Sequence, residues 1–453
     1  MRITWQRVPT SVVSIVRRLH RRGYEAYVVG GAVRDLVLGR TPKDWDVATN
    51  ARPERIETLF PRTIPTGKVF GTITVFSRGD QVQVTTFRSE GNYHDRRRPS
   101  AVEFVGNLEG DLSRRDFTMN AMALDLSRKR VIDPYGGLQD LRNKKLKAVG
   151  KAVERFQEDT LRAVRAGRFL AELRLRPSPS ISSAARAVSP HVRELSGERI
   201  RDELVKLLHS PRPSLGFLWL DRVKILEIVL PEVTRGKRVY QGGWHAYDVF
   251  RHTLEAVDAG PADLVMRLAL LFHDIAKPIT RTRDKKGFHF YQHDRLGAEM
   301  AGEILRRLRF SNAVIEDVTM LVRHHLFEAE TISKTDAAVR RFMRRVGEDQ
   351  VPRLLDFRSF DVKGCGPGRK VSPALRKIEL RARKIQKARE ALSLKDLKID
   401  GDDVMKWLKI APGPRVGEIL KDALEYVLSK PSRNRRSDLR AHVLSREKSP
   451  TYS

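Results

Sequence analysis

The sequence predicts an α+β protein in which a small α/β head precedes a long helical body. Residues 1–145 mix short helical stretches with alternating, strand-like segments such as TITVF (72–76) and QVQVTTF (81–87). From Glu154 onward, apolar residues recur at the spacing of an amphipathic helix, as in GERIRDELVKLLH (197–209). A chain of 453 residues is also long enough for about three domains.

The composition points to a soluble protein with a polyanionic partner. Lys and Arg total 87 against 56 Asp and Glu, a formal charge of +31, and we favour nucleic acid over a membrane surface. Apolar runs such as LALLF (268–272) fall far short of the ~20 residues of a membrane helix. The single cysteine, Cys365, excludes an intrachain disulfide, so we expect a reducing, cytoplasmic location and no membrane partner.

The first 24 residues form a basic, amphipathic segment with six Lys or Arg and no acidic residue. This composition overlaps that of a mitochondrial transit peptide. The alternative, which we favour, is a surface helix that opens the head and packs on the strand starting near Tyr27.

A glycine turn and two aspartates within 17 residues predict a site for a nucleotide and a metal. Gly30 and Gly31 separate an apolar strand from a helix, which leaves backbone N–H groups free to hold phosphates. If PKDWDVAT (42–49) is a strand, Asp44 and Asp46 share one face and can bind the same Mg²⁺ ions. Either feature alone is more often a tight turn or a solvated acidic pair, but their combination favours metal-assisted nucleotidyl transfer.

The segment GGAVRDLVLGRTPKDWD (30–46) resembles the signature of the polymerase-beta-like nucleotidyltransferases, specifically the bacterial class of tRNA CCA-adding enzymes and poly(A) polymerases. Five further segments resemble later motifs of that class in the same order: TGKVFGTITVF (66–76), VTTFRSEGNYHDRRRPSAVEFV (84–105), DLSRRDFTMNAMALD (111–125), DPYGGLQDLRNKKLKAVG (133–150) and EDTLRAVRAGRF (158–169). The resemblance implies a polymerase-like head, Mg²⁺ as cofactor, and tRNA, CTP and ATP as partners.

The resemblance also implies the roles of individual residues. Asp44 and Asp46 are the expected catalytic metal ligands. The expected nucleotide-binding residues are Gly30, Gly31, Arg34, Arg114, Asp116, Asn120, Asp159, Arg162, Arg165 and Arg168. One position departs from the pattern, because Gln83 stands where related enzymes commonly carry a third carboxylate.

Base choice without a template is expected to rest on Asp159 and Arg162, which are three residues apart and predicted to lie on one helix face. A carboxylate beside a guanidinium matches the amino donor and ring-nitrogen acceptor of cytosine and adenine, and repels uracil and guanine. The alternative interpretation is an ordinary intrahelical salt bridge. We expect Glu158 to position the helix rather than touch the base.

Two features favour full CCA addition over the alternative of a poly(A) polymerase. The loop GNYHDRRRPS (91–100) resembles the intact flexible loop that lets one pocket switch from C to A, with Arg96–Arg98 near the nucleotide or primer end. The segment TGKVFGT (66–72) replaces the GRRF typical of related poly(A) polymerases, and the ED pair of EDTLR is present.

Histidines and aspartates in the body are spaced like those of the HD superfamily of metal phosphohydrolases. A single histidine on an apolar helix is usually a core residue, but a matching ordered set favours a site for one or two ions of Ni, Mn, Mg or Fe. The expected ligands are His252, His273, Asp274, His293, His324 of the His324–His325 pair, and Asp361. The expected activity is a phosphatase or cyclic-phosphate phosphodiesterase that acts on RNA ends. A further alternative is therefore a metal phosphohydrolase with a non-catalytic, RNA-binding head.

Four segments are expected on these grounds: a nucleotidyltransferase head (1–150), a helical neck (151–240), an HD-type domain (241–365) and a C-terminal tail (366–453). The tail resembles the segment that grips the tRNA elbow in this class, and its basic run KPSRNRR (430–436) is suited to phosphate contacts. Without the resemblance, an ordinary terminal helical hairpin explains the tail equally well.

Overall fold

The structure is a computed structural model that describes residues 3–90, 102–243, 245–285 and 287–447. It confirms the α+β class, with the largest sheet in the head and helices dominating the remainder. The described strands are β1 (Ala26–Val29), β2 (Asp46–Thr49), β3 (Thr63–Gly67), β4 (Thr72–Ser77), β5 (Asp80–Thr86), β6 (Arg88–Glu90), β7 (Val102–Phe104), β8 (Ala123–Asp125), β9 (Arg130–Ile132), β10 (Lys145–Leu146), β11 (Arg176–Pro177), β12 (Arg281–Asp284) and β13 (Gly287–Phe290).

A sheet that has seven strands in the described part of the chain forms the centre of the head, in the order β3-β4-β5-β2-β1-β8-β9. Neighbouring strands are antiparallel except β2 and β5, which are parallel. Strands β1 and β2 occupy the middle, and Ala26, Val28, Val47 and Ala48 are fully buried. The start of β2 therefore lies at one end of a rigid central pair, which suits it to hold a catalytic group.

Helices cover the sheet and continue beyond it. In the first half of the chain they are α1 (Thr10–Arg21), α2 (Gly31–Val37), α3 (Pro53–Leu59), α4 (Leu108–Ser113), α5 (Gly137–Arg142), α6 (Ala152–Glu158), α7 (Leu161–Leu173), α8 (Pro179–Val188), α9 (Gly197–Leu208), α10 (Pro213–Arg222), α11 (Leu226–Val229) and α12 (Pro231–Thr234). The apolar face of α1 is buried in the head through Val12, Ile15, Val16 and Leu19. The basic N-terminal segment is thus a folded helix that contacts β1 and β4.

The second half of the chain contains α13 (Val249–Ala259), α14 (Leu264–Phe272), α15 (Lys277–Thr280), α16 (His293–Arg307), α17 (Asn312–His324), α18 (Ala329–Ile332), α19 (Asp336–Val346), α20 (Val351–Gly364), α21 (Pro373–Lys387), α22 (Gly401–Leu408), α23 (Pro414–Ser429) and α24 (Arg436–Glu447). Side-chain caps at Asp248, Thr335, Ser372 and Asp400 accept bonds from the first turns of α13, α19, α21 and α22. None of the described helices is both long and apolar enough to cross a membrane.

The chain divides into two compact units. The first comprises Met1–Arg235, Ala262–Leu264 and Ile304–Phe310, and the second comprises Gly236–Pro261, Val265–Glu303 and Ser311–Ser453. The four segments expected from the sequence stay a prediction, because this division into two units does not separate head from neck or body from tail. The expectation of an all-helical neck and body is wrong at two places among the described residues, because β11 pairs with β10 and because β12 and β13 form an antiparallel hairpin between α15 and α16.

Candidate functional site

The first site is a bare backbone corner where β1 runs into α2. Val29 pairs with Asp46 across the strands, so Gly30 lies beside the start of β2. Gly30 has φ of +73°, and a Cβ placed on it would lie 2.8 Å from Arg115 Nη1 and 3.8 Å from Asp46 Oδ2. Any larger residue would be strained and would displace Arg115. Because Gly30 has no side chain, the Asp46 carboxylate and the Arg115 guanidinium both lie beside its backbone.

The two predicted metal ligands differ in their local structure. Asp46 is the first residue of β2 and is partly buried, whereas Asp44 is exposed and precedes the strand. The prediction that both lie on one strand is wrong, because β1 ends opposite Asp46 and offers Asp44 no partner. Their charges still interact. Burial raises the pKa of Asp46, Arg115 opposes that shift, and Asp44 adds to it.

Gln83 occupies the position next to Asp46 on the neighbouring strand. The parallel register of β2 and β5 aligns the two residues, and the Gln83 N–H donates to the Trp45 carbonyl at 3.1 Å. Residues aligned in this way project from the same face of a sheet. The place of a third carboxylate is therefore taken by an exposed, neutral amide.

A buried polar network lies beside the corner and contains four of the predicted nucleotide-binding residues. Arg34 donates to Asn120 and to Asp35, both at 2.9 Å, and Asn120 donates to Asp116 at 3.0 Å. Arg165 forms an ion pair with Asp116 at 3.0 Å. Burial disfavours ionised Asp116, but Arg165 and the hydrogen bonds outweigh it and lower the pKa. The Asp116 carboxylate is therefore ionised and can accept hydrogen bonds.

The two arginines that precede Asp116 share one buried acid. Arg114 and Arg115 both form ion pairs with Asp111, at 2.9 and 3.0 Å. Only Arg115 also reaches the Gly30 corner. The sequence predicts Arg114 of this pair as a nucleotide ligand, and the structure adds Arg115 as the arginine beside Gly30 and Asp46.

Asp159 and Arg162 do not lie on one continuous helix, so that prediction is wrong. Helix α6 ends at Glu158, Asp159 is extended with φ of −143°, and α7 begins at Leu161. The Arg162 N–H bonds to the Asp159 carbonyl at 3.0 Å, which brings the two backbones together. The side chains have separate partners: Arg199 binds both oxygens of Asp159 at 3.0 and 2.8 Å, and Glu158 pairs with Arg162 at 2.7 Å.

The two remaining arginines of α7 face Glu203 of α9. Arg168 pairs with Glu203 at 2.8 Å and covers the Phe169 ring at 4.0 Å. Burial lowers the pKa of Arg165, but Asp116, Glu203 and Asp159 outweigh it, so the net shift is upward. Both side chains are anchored within the first unit. The predicted switching loop at 91–100 lies outside the described residues.

A second site lies in the second unit and is defined here as the histidine–aspartate cluster: His252, His273, Asp274, His293, His325 and Asp361. All six side chains are buried, although they come from α13, α16, α20 and the residues directly after α14 and α17. His252 Nε2 lies 3.1 Å from both His273 Nε2 and Asp361 Oδ1. Asp274 Oδ1 lies 3.5 Å from His293 Nε2 and 3.9 Å from His325 Nε2.

The hydrogen bonds behind these rings fit a cation in the cluster. The Nδ1 atoms of His273, His293 and His325 donate to backbone carbonyls at 2.9, 2.6 and 2.6 Å. A neutral imidazole that donates through Nδ1 presents a lone pair at Nε2. Within the described residues, His293 Nε2 and Asp274 Oδ1 are buried without a hydrogen-bond partner. Oriented lone pairs and unpaired carboxylate oxygens are the donors of a metal site.

The protonation states of His293 and His325 agree with this orientation, whereas that of His273 does not. Burial lowers the pKa of His293, and lowers that of His325 to about 3, so both rings are neutral at pH 7. Burial also works against charged His273, but Asp274 and Asp361 outweigh it and raise its pKa to about 10. A cation bound between these groups would replace the His273 proton, so metal binding there should release a proton.

The structure corrects one predicted ligand and adds two neighbours. His324 ends α17 half-buried, and the next residue, His325, joins the cluster instead. Lys277 pairs with Asp274 at 2.7 Å, and the His245 ring lies 5.1 Å from that of His252. These neighbours were missed because the ligand pattern in the sequence contains neither of them.

Three segments match family models. Residues 26–147 match the poly A polymerase head domain, residues 175–236 match a probable RNA- and SrmB-binding site of polymerase A, and residues 290–443 match a putative tRNA nucleotidyltransferase domain 2. The CCA-adding enzyme of Geobacillus kaustophilus is 49% identical over 199 residues, which are 44% of this chain and 49% of that relative. That alignment therefore spans about half the length of the relative.

Two relatives match nearly end to end. The A-adding tRNA nucleotidyltransferase of Deinococcus radiodurans is 34% identical over 88% of this chain and 91% of its own length. The CCA-adding enzyme of Bacillus mycoides is 30% identical over 94% of this chain and 96% of its own length.

Solved structures share the fold. The Bacillus stearothermophilus CCA-adding enzyme in complex with CTP has a TM-score of 0.71 at 27% identity, covering 97% of both chains. The Thermotoga maritima CCA-adding enzyme complexed with tRNA has a TM-score of 0.58 at 18% identity over 99% of this chain and all of that one, which supports the fold alone. With two full-length relatives at 30% identity or more, the chain belongs to the bacterial tRNA nucleotidyltransferase family that contains CCA-adding and A-adding enzymes.

Proposed function

We propose that the protein adds CCA to the 3′ end of tRNA, taking nucleotides from CTP and ATP without a template. The observation that carries this proposal is the corner where Asp46, Arg115 and the bare backbone of Gly30 converge. The full-length CCA-adding relative and the similar fold of an enzyme solved with CTP support the same activity. The excess of Lys and Arg and the basic tail fit tRNA as the partner.

Asp44 and Asp46 are the proposed Mg²⁺ ligands. Their donor set fits the ion, since Mg²⁺ is usually held by one or two carboxylates and completed by substrate phosphates. The chemistry that Mg²⁺ supplies when bound is neutralisation of the triphosphate and activation of the attacking hydroxyl. Arg115 brings a further positive charge to the same corner, where it can pair with a phosphate.

The buried network around Asp116 is the proposed ribose wall. The Asp116 carboxylate stays ionised because of Arg165 and Asn120, so it can accept a hydrogen bond from a sugar hydroxyl. Asp159 and Arg162 are the proposed base readers, each fixed by its own partner, Arg199 and Glu158. A fixed acceptor and a fixed donor discriminate between bases without help from a template.

The product made on a truncated tRNA tests the proposal directly. Transcripts ending at the discriminator base, at the first C and at the second C are incubated with CTP and ATP, and their 3′ ends are sequenced. We expect CCA on the first transcript and no further growth. Long A tails on unrelated RNA would instead identify a poly(A) polymerase.

A-adding activity is the second candidate, favoured by the full-length Deinococcus radiodurans relative at 34% identity. It predicts that only the transcript ending in CC is extended, by one A. The same three transcripts therefore separate the two activities.

Replacing Asp159 by Ala is expected to lower the preference for CTP over UTP roughly tenfold to hundredfold, because the acceptor that selects an amino group is removed. The measurement is kcat/KM for each of the four nucleotides. Asp202→Ala, which removes an exposed acid of α9, is the matched control and should leave the ratios unchanged. Unchanged ratios in the Asp159 variant would refute base reading by this carboxylate.

We infer that the histidine–aspartate cluster is a metal phosphohydrolase site. The observation that favours it is the set of three Nδ1–H bonds to carbonyls, which turns three Nε2 atoms toward two carboxylates. His252, His273 and Asp361 would hold one ion, and Asp274, His293 and His325 a second. Mixed nitrogen and oxygen donors suit Ni, Mn or Fe. Such ions supply charge stabilisation at a phosphoryl group.

A further inference from the structure

The unpredicted hairpin of β12 and β13 directly adjoins the histidine–aspartate cluster. Phe290 ends β13, and its ring lies 6.4 Å from the ring of His293. Lys277 Nζ, which pairs with Asp274, lies 5.5 Å from the centre of the same Phe290 ring. One face of the hairpin therefore begins at the edge of the cluster.

That face carries two aromatic rings and two guanidinium groups. The register pairs Arg281 with Phe290 and Arg283 with Phe288, so all four side chains share one face. Arg281 lies 3.8 Å from the centre of the Phe288 ring and Arg283 lies 5.4 Å from it. Stacking on Phe288 holds both positive groups in place at little entropic cost on binding.

Neither arginine is neutralised by an acid. Among the described residues, no carboxylate lies within ion-pair distance of Arg281 or Arg283, and Arg281 Nε is buried without a hydrogen-bond partner. Many arginines of the same unit are paired, for example Arg340 with Glu390 and Arg353 with Asp317. Two oriented, unneutralised guanidinium groups beside a phosphohydrolase site are suited to phosphate.

We propose that this hairpin binds the RNA strand whose terminal phosphate enters the cluster, with Arg281 and Arg283 contacting phosphates upstream of the end. The proposal rests on the phosphohydrolase function proposed above. Arg281 and Arg283 are two residues apart on β12, so their backbones are separated by about 6.6–6.8 Å. This separation lets each guanidinium contact a separate phosphate of an extended RNA chain. The substrate class is therefore an RNA chain ending in a phosphate, rather than a free nucleotide.

Comparison of a chain with a mononucleotide tests the hairpin. The substrates are 2′,3′-cyclic AMP and hexanucleotide RNAs ending in a 2′,3′-cyclic phosphate or a 3′-phosphate. In the double variant Arg281→Gln with Arg283→Gln, we expect kcat/KM for the preferred hexanucleotide to fall at least about tenfold through KM. Hydrolysis of the mononucleotide should change less than about twofold, because it lacks the upstream phosphates. Arg376→Gln removes the same charge from an arginine paired with Glu379 and is the matched control.

Equal losses for both substrate lengths, or no loss for the hexanucleotide, would overturn the proposal. A second readout needs no activity: hexanucleotide carrying 4-thiouridine at an internal position, upstream of the terminal phosphate, is cross-linked to the protein in EDTA and the modified peptide is mapped. We expect the cross-link within 281–290, and its absence there counts against the hairpin. If the wild type hydrolyses neither substrate, the phosphohydrolase function is wrong, and the cross-link alone decides whether the hairpin binds RNA.

Discussion

Replacing Asp46 by Asn is expected to abolish nucleotide incorporation while the fold stays intact. The substitution keeps the shape of the side chain but removes the negative charge at the start of β2, where Asp46 and Asp44 are the only proposed metal ligands of the head. Gln83, the neighbour that could carry a third acid, is already neutral. We therefore expect kcat/KM for CTP and ATP to fall by at least about 10³-fold, or about 4 kcal/mol of transition-state stabilisation.

Single-turnover extension of a tRNA lacking CCA measures this effect. Asp44→Asn should cause a similar loss, although Asp44 is exposed, because both charges are needed at one ion. Glu54→Gln, an exposed acid in the first turn of α3, is the matched control. Melting temperature and hydrolysis by the histidine–aspartate cluster should match the wild type in all three variants. Incorporation within about tenfold of the wild type by the Asp46 variant would place the catalytic ions elsewhere.

The closeness of Gly30 and Asp46 was predictable because the two residues are near each other in sequence. Gly30 follows β1 and Asp46 begins β2, and these adjacent strands are joined by α2, so a local pattern contains the corner. The role of Arg115 depends on where α4 lies against that corner, which no local pattern reports. The hairpin after α15 is not predicted for a different reason: β12 and β13 have four residues each, too few for a clear alternating pattern.

The apolar periodicity of the sequence does not reveal the break between α6 and α7, because no Gly or Pro marks it. The segment EDTLRAV continues a helical apolar pattern, yet the Asp159 side chain accepts the Leu161 N–H at 3.1 Å and starts a new helix. Asp followed by Thr before an apolar run is a start signal that could have revealed this break. The ion pair with Arg199, 40 residues later, could not have been inferred from either helix alone.

The choice between adjacent histidines could have been made from spacing. Ile315, Val318, Leu321 and Val322 form the buried face of α17. Continuing by three residues from Val322 reaches His325, whereas His324 falls off that stripe. The motif indicates the His324–His325 pair, and the apolar face of α17 determines that His325 is the buried member.

The second large effect is expected at Asp274, the residue of the cluster that reaches both ligand groups. Its Oδ2 lies 3.2 Å from His273 Nε2, and its Oδ1 lies 3.5 Å from His293 Nε2. Asp274→Asn is expected to remove bound metal and to lower phosphohydrolase activity by at least about 10³-fold. Metal per chain is measured by elemental analysis after dialysis, beside phosphate release. Because Lys277 would lose its buried partner, the melting temperature should also fall.

A matched pair of histidines separates loss of the metal from loss of the fold. His325→Ala removes a buried ligand, and His324→Ala removes the half-buried ring next to it in sequence. We expect the first variant to lose metal and hydrolysis but to keep CCA addition, since the head site contains none of its contacts. The second should resemble the wild type in all three assays. Equal metal content in both variants would show that the buried Nε2 of His325 is not a ligand, and the cluster would then be a structural network centred on the His273 imidazolium.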